Sequence, residues 1–521
     1  MPTAACPRST KPLQMLMLEA ACSNLAVPLQ ADFTAANCRG AALCAGCGGG
    51  LPCPACLPAG MICTIAGFPG GSPMPVLTTV SREALPRLLA MLMLALMSGT
   101  SRGESWPQWR GPAGDGHAPT AHGLPRRWSE TENIAWKTAI PGKGWSSPVV
   151  DGDRVWLTTA VESPLTEKEK QRRLESVPNA GTLELSGPVS LRAICLDFES
   201  GQVVHDVELF LIDEPQPIHK LNSYASPSPV LANGRLYCHF GDFGTAAIDA
   251  ASGEILWANR LLRLNHENGP GSTPVLWRDK LIVHCDGSDV QFIAALDTVT
   301  GDVAWKTPRS GELRDDPQLK KAYGTPLVTA IDGKEVVLSP AADWVYAYDP
   351  ADGRELWKVS YGTLGFSIVP KPVRAGDLVF LSTSFMQPEL LALKLAGPES
   401  PPEILWREKK GVPTMPSPLV VGEEIYMVSE RGVASCLDVG SGENCWTQRL
   451  GGNFSSSPLF ADGVIYLANR DGETFVIKPG REFVLDATNQ LEGSIMASPV
   501  AVGSSLLLRT EHAVYRVAAA R

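Results

Sequence analysis

From Ser146 onward the chain alternates between apolar and polar positions. In "SSPVVDGDRVWL" (146–157) a small residue, a proline and two apolar residues lead into Asp151-Gly152, and an alternating apolar run leaves it. Side chains of a strand point to opposite faces with period two, so such runs are half-buried strands, and Asp-Gly between them is a hairpin turn. The pattern returns in "SPSPVLANGRLYC" (226–238), "STPVLWRDKLIV" (272–283), "GTPLVTAIDGKEVVL" (324–338) and "VPKPVRAGDLVFL" (369–381). It closes with "PSPLVVGEEIYMV" (416–428), "SSPLFADGVIYLA" (456–468) and "ASPVAVGSSLLL" (497–508). The anchoring prolines are 148, 229, 274, 326, 372, 418, 458 and 499; the first step is 81 residues and the others run from 40 to 52.

A second motif interleaves with the first: "AIDAASGEILW" (247–257), "ALDTVTGDVAW" (295–305), "AYDPADGRELW" (347–357) and "CLDVGSGENCW" (436–446). The aspartate ends a strand and can accept from turn amides, Thr or Ser assists, and Gly takes the positive φ of the turn. Trp then sits at an alternate position of the next strand, where it fills the gap against a neighbouring sheet. Two strands per motif give four per period, which is a propeller blade. Eight first motifs imply eight blades, but residues 141–521 supply only seven outer strands: Trp257, Trp305, Trp357, Trp406 and Trp446 mark five, "GQVVH" (201–205) and "REFVL" (481–485) two more. "ENIAWKTAI" (132–140), with Trp136 in the tryptophan position, matches the missing one. The fold expected is therefore an all-β, eight-bladed propeller of four-stranded antiparallel blades over 106–521, with the ring closed by the N-terminal strand. The long first step holds a charged insertion, residues 162–187, expected as a surface loop or short helix.

Composition changes the picture mainly at the N-terminus. Eight of the 13 cysteines lie in the first 63 residues, and "CAGC" (44–47) with "CPAC" (53–56) would be a zinc site only with an unusually short spacing. Residues 1–73 are expected to be a disordered or mis-annotated start. Residues 74–105 have the layout of a secretory signal: Arg82 and Arg87, an apolar run at 88–97, then small polar residues. That run is too short to span a bilayer, so the mature chain is expected to be extracytoplasmic with no transmembrane segment. A net charge of −10 argues against nucleic acid as a partner.

The repeats "SSPVVDGDRV" and "ALDTVTGDVAW" resemble those of the pyrroloquinoline-quinone (PQQ)-like propellers, a family that joins quinoprotein dehydrogenases to a lipoprotein of the outer-membrane assembly machinery. "WPQWRGPAGDG" (106–116), "NSYASPSPV" and "HENGPGSTPV" resemble a secreted subgroup found in planctomycete-type bacteria. The resemblance implies the fold and leaves the chemistry open. Many quinoprotein alcohol dehydrogenases stack PQQ between a tryptophan and a disulfide of adjacent cysteines, with calcium beside it. This chain has no adjacent cysteine pair, and neither CxxC is followed by His as in a c-type haem site. "DGSD" (286–289) lacks the frame of a dedicated calcium loop. No catalytic Ser–His–Asp set, nucleotide-binding glycine loop or HExxH motif occurs.

The expectation is a binding or scaffold module for a protein or polysaccharide, with no resident cofactor, no metal and no catalytic residue. The alternative is a PQQ-dependent oxidoreductase with calcium. Two long connections, residues 259–272 and 306–325, should open on the face that carries propeller ligands. They point to Asn222, His266, Glu267, Asn268 and Lys321 as binding residues, with Asp286 and Asp289 beside them and Arg431, Arg449 and Arg470 across the face. Arg309 and Asp471 fall in the same region. The structural alternative makes His266 and Asn268 turn formers and the arginines ion pairs between blades. Cys436 and Cys445 flank one hairpin symmetrically, as a disulfide or as two free thiols.

Overall fold

The computed structural model describes residues 105–519. The Cys-rich segment with its CxxC pairs and the apolar run at 88–97 lie outside the described residues. Within them the chain forms eight antiparallel sheets of four strands, the blades of a propeller. Blade 1 consists of Val149–Asp151, Arg154–Glu162, Val189–Asp197 and Val203–Ile212, from the axis outward. The innermost strands of blades 2 to 7 are Val230–Ala232, Val275–Trp277, Leu327–Ile331, Val373–Ala375, Leu419–Val421 and Leu459–Ala461. Blade 8 begins with Val500–Val502 and ends, on the outside, with Ile134–Ala139. That strand pairs with Ala513–Ala518, placing Trp136 opposite Arg516, so the N-terminal strand closes the ring as the repeat count requires.

Apolar side chains are buried mostly between blades. One cluster joins Val275, Trp277, Ile282, Ile293, Ala295 and Trp305 of blade 3 to Val337, Tyr346 and Tyr348 of blade 4. The second sequence motif serves this joint as well as its own hairpin. Within the hairpin, Asp297 Oδ1 accepts from the amides of Val299 and Thr300 at 2.8 and 2.9 Å, which holds the turn. Between blades, the indole of Trp257 in blade 2 donates to the Thr298 carbonyl in the turn of blade 3 (3.1 Å) and lies against Gly301. Gly301 has φ +77°, and a Cβ there would stand 2.5 Å from the Trp257 ring. Glycine is thus required twice over, for its backbone and for the indole packed on it. Trp136 on Phe198 (2.9 Å), Trp305 on Pro350 (3.0 Å), Trp406 on Val439 (3.2 Å) and Trp446 on Gly480 (3.0 Å) repeat the hydrogen bond. The indole N–H of Trp357, facing the divergent turn of blade 5, has no partner among the described residues.

The insertion carries an exposed helix, Glu167–Leu174, whose N-terminus is capped by the Thr166 hydroxyl. Cys436 pairs with Trp446 across the hairpin, and the register then shifts so that Leu437 faces Asn444. Cys445 falls in that bulge and is not opposite Cys436; both are free thiols.

Candidate functional site

The residue before each anchoring proline sits at the axis: Ser147, Ser228, Thr273, Thr325, Lys371, Ser417, Ser457 and Ser498. The amide at each position donates to the hydroxyl of the same position in the next blade, at 2.9 to 3.1 Å. Seven such links form around the ring. The link from Thr325 is missing because Lys371 offers no hydroxyl.

The stretch "WPQWRGPAGDG" crosses the channel inside this ring. Trp106 exchanges two backbone hydrogen bonds with Val150 of blade 1, and the Pro107 carbonyl accepts from Leu231 of blade 2. Arg110 Nη2 reaches the Pro418 carbonyl of blade 6 (2.7 Å), and His117–Ala118 adds a parallel fifth strand to Leu459–Ala461 of blade 7. Trp109 Nε1 donates to Ser498 Oγ (3.1 Å).

Above Trp109 opens a funnel of about 460 Å³. Its base carries the hydroxyls of Ser147, Ser228, Thr273, Thr325 and Ser498, and its sides carry Trp145, Tyr323, Phe366, Phe385, Met415 and Met496. Four amides, from Asn179, Asn222, Asn268 and Gln318, enter between these groups, with Lys321 beside them. No carboxylate belongs to the wall among the described residues.

Of the residues singled out from sequence, Asn222, Asn268 and Lys321 meet in this wall. Asn222 Nδ2 donates to the carbonyls of Asn268 (2.7 Å) and Pro270 (3.1 Å), tying two connections together. Lys321 is buried and paired with Glu267 Oε2 at 2.8 Å, and its Nζ also donates to Gln318 Oε1 (2.9 Å). Burial lowers its pKa, and the Glu267 carboxylate opposes that shift. Glu267 lies behind the wall with φ +62°. His266 is not a rim residue: it is buried, and its Nε2 accepts from the Asp242 amide (2.9 Å). Burial pushes its pKa down to about 3, so it is a neutral acceptor.

Asp286 also departs from the surface role expected of it. It is fully buried, and Arg309 Nε donates to both of its oxygens at 3.0 and 3.2 Å. Arg309 continues to Ser339 Oγ (2.8 Å) and Tyr348 (3.1 Å), so this cluster joins blade 3 to blade 4. Asp289 is exposed, accepts from the Asn265 and Val290 amides, and borders a separate cavity of about 540 Å³ with Asp242 and Arg263. Arg470 donates from Nε to Ser455 Oγ (2.7 Å) at the funnel edge. Arg431 and Arg449 are exposed, form no ion pair among the described residues and are not part of the wall, so they are not struts between blades.

The aromatic wall and the hydroxyl base are what sequence reasoning missed. The Ser/Thr-Pro motif reads as a strand start, and only the ring geometry turns its hydroxyls toward one axis. Asn179 and Thr182 come from the insertion, which reaches over blade 1 to the funnel. Calcium does not fit this wall: its polar side chains are amides, hydroxyls, the His219 imidazole and one ammonium, and hard cations want carboxylate oxygens. No group of three His, Cys, Asp or Glu side chains is placed to hold a metal ion among the described residues.

Comparison with known proteins bears on the fold. The structure of BamB from Moraxella catarrhalis is similar at 15% identity, over 64% of this chain and 89% of that one, with a TM-score of 0.44. Quinohemoprotein alcohol dehydrogenase from Comamonas testosteroni is similar at 10% identity over 82% of both chains, with a TM-score of 0.51, a likeness of fold alone. No curated protein matches the chain. No helix of the described residues is long and apolar enough to cross a membrane. The family model described as outer membrane protein assembly factor BamB matches residues 176–339, 244–397 and 341–480, more than half of the chain, and the protein belongs to this PQQ-like propeller family.

Proposed function

We propose that the protein is an extracytoplasmic binding propeller whose funnel receives the end of a hydroxyl-rich chain, an oligosaccharide or polysaccharide terminus. The observation that carries this reading is the chemistry of the wall: aromatic faces at Trp145, Tyr323 and Phe366, side-chain amides between them, hydroxyls at the base and no carboxylate. Sugar rings present apolar C–H faces that stack on aromatic rings, and hydroxyls that amides and serines can serve as donor or acceptor. Trp109 closes the floor, so a chain end enters and does not thread through. The apolar run at 88–97 supports export.

The enzyme reading, a PQQ-dependent oxidoreductase with calcium, rests on family resemblance. The wall lacks the carboxylates that would hold the cation and take a substrate proton. Calorimetric titration with a panel of neutral oligosaccharides is expected to give saturable binding. Adding PQQ and calcium is expected to give no dye reduction. Silent sugars together with quinone-dependent dye reduction would reverse the conclusion. Silent sugars with saturable binding of an extended peptide would make the partner a protein.

A further inference from the structure

Lys371 is the one position of the axial ring that is not Ser or Thr. It is 4% exposed, and its Nζ reaches the backbone of Gly114 in the channel-crossing segment. Among the described residues its ammonium makes no hydrogen bond and no ion pair. Its electrostatic neighbours are Arg110 and Asp115. Arg110 is 2% exposed. Its Nη2 donates to the carbonyls of Asp115 and Pro418, both at 2.7 Å, while Nε and Nη1 have no partner. Two basic groups therefore share the interior with one nearby carboxylate, whose Oδ1 accepts from the His117 amide (3.0 Å), and burial together with Arg110 lowers Lys371 to about 7 against the pull of Asp115.

That arrangement leaves the Nε and Nη1 donors of the Arg110 cation unanswered in a low-dielectric place, beside a Lys371 amine with no partner of its own, which is costly unless an acceptor of opposite sign is present. Lys371, Ser417 and Ser457 lie outside the funnel lining, so the unanswered donors do not serve the ligand proposed above. We propose that the channel interior binds a small inorganic monoanion of the size of chloride between Arg110 and Lys371, as a structural counter-ion that ties the channel-crossing segment to blade 5. One negative charge balances the pair against Asp115, and a spherical ion accepts from Nε, Nη1 and Nζ without demanding a fixed direction. The anion is independent of the sugar reading and would stand if that reading failed.

The test uses the full chain. Melting is followed in sodium chloride and in sodium gluconate of equal ionic strength, and crystals soaked in bromide are examined for anomalous scattering. Chloride is expected to raise the melting temperature by ~2–4 °C over gluconate, since a ligand of the folded state alone stabilises it. Bromide is expected to give one peak within hydrogen-bonding reach of Arg110 and Lys371. In Lys371→Ser, which installs the hydroxyl the other seven blades carry, both effects are expected to vanish while the fold persists. Equal melting in the two salts, an absent peak, or a Lys371→Ser variant with an undiminished chloride effect would overturn the site. Should Lys371→Ser not fold, Lys371→Met and the wild-type bromide peak decide.

Discussion

His239 and His266 are neutral because they are buried. His239 shares a hydrogen bond with the Thr245 hydroxyl at 2.8 Å, and burial lowers its pKa to about 4; His266 is lowered to about 3, by burial first and by its neighbour His239 second. In the unfolded chain both would take a proton near 6.5, so below that pH the unfolded state binds more protons than the folded one. Stability is then intact above pH 6.5 and is lost as pH falls toward 4, at a slope of up to ~1.4 kcal/mol per pH unit for each histidine. Asp286 adds to this at lower pH. Burial opposes its ionisation, but Arg309 and His284 outweigh burial and hold its pKa down, so its contribution disappears as the carboxylate protonates. His266→Gln keeps an acceptor for the Asp242 amide and removes the titration. Urea midpoints at pH 7, 5.5 and 4.5 are expected to fall less for this variant than for wild type. Parallel curves for the two proteins would mean that the acid limb arises elsewhere. A second residue-scale expectation concerns Gly301, where Ala would have to hold a positive φ and push the Trp257 ring aside; a loss of about 1–3 kcal/mol by denaturant unfolding is expected.

The same motif holds strands together within a blade and blades to one another. The tryptophan of one blade donates to the turn of the next, so a blade without a neighbour leaves a buried indole and a sheet face uncovered. The joint most exposed to failure is the closing one, where Ile134–Ala139 is the outer strand of blade 8 and Trp136 docks on blade 1 at the Phe198 carbonyl. Deleting residues 106–140 removes that strand and the channel-crossing segment together. A sharp drop in melting temperature or aggregation through the freed edge is expected, and an unchanged melting curve would refute the closure. This much was readable in advance: eight proline-anchored hairpins against seven outer strands demand an eighth from the N-terminus. The sidedness of individual residues was not. Cys436 and Cys445 look symmetric on paper, yet the bulge before Trp446 moves Cys445 out of register. Asp286 and His266 sit among turn-forming residues in sequence, yet both are interior, because the strand of blade 3 continues through Asp286 and the loop carrying His266 folds back over Asp242.

At the scale of the molecule, eight near-equivalent blades create one axis, and function concentrates where equivalence breaks. The base of the funnel is made of repeated hydroxyls, so it offers polarity without selectivity. Selectivity belongs to the non-repeating groups above it: Trp145 from the first connection, Phe366 and Phe385 from a two-stranded ribbon whose halves flank the first two strands of blade 5, and Asn179 from the insertion. Trp145 and Phe366 are only half-buried, so truncating them costs the fold little. Trp145→Ala with Phe366→Ala is expected to weaken oligosaccharide binding by roughly tenfold or more, as the loss of two aromatic contacts worth about 0.5–1.5 kcal/mol each beyond their area would do. Melting is expected to stay within a few degrees of wild type. Arg431 and Arg449 are exposed on blade 6, outside the funnel wall. They form no ion pair among the described residues, so Arg431→Ala and Arg449→Ala should leave stability unchanged. A ligand that ends inside the funnel does not touch them, while a longer chain leaving the mouth over blade 6 would. Calorimetry is therefore expected to show the arginine variants binding a disaccharide as wild type does and a long polysaccharide more weakly. If both lengths bind these variants equally well, recognition stops at the funnel mouth; if the aromatic variant binds both as tightly as wild type, the funnel is not the binding site.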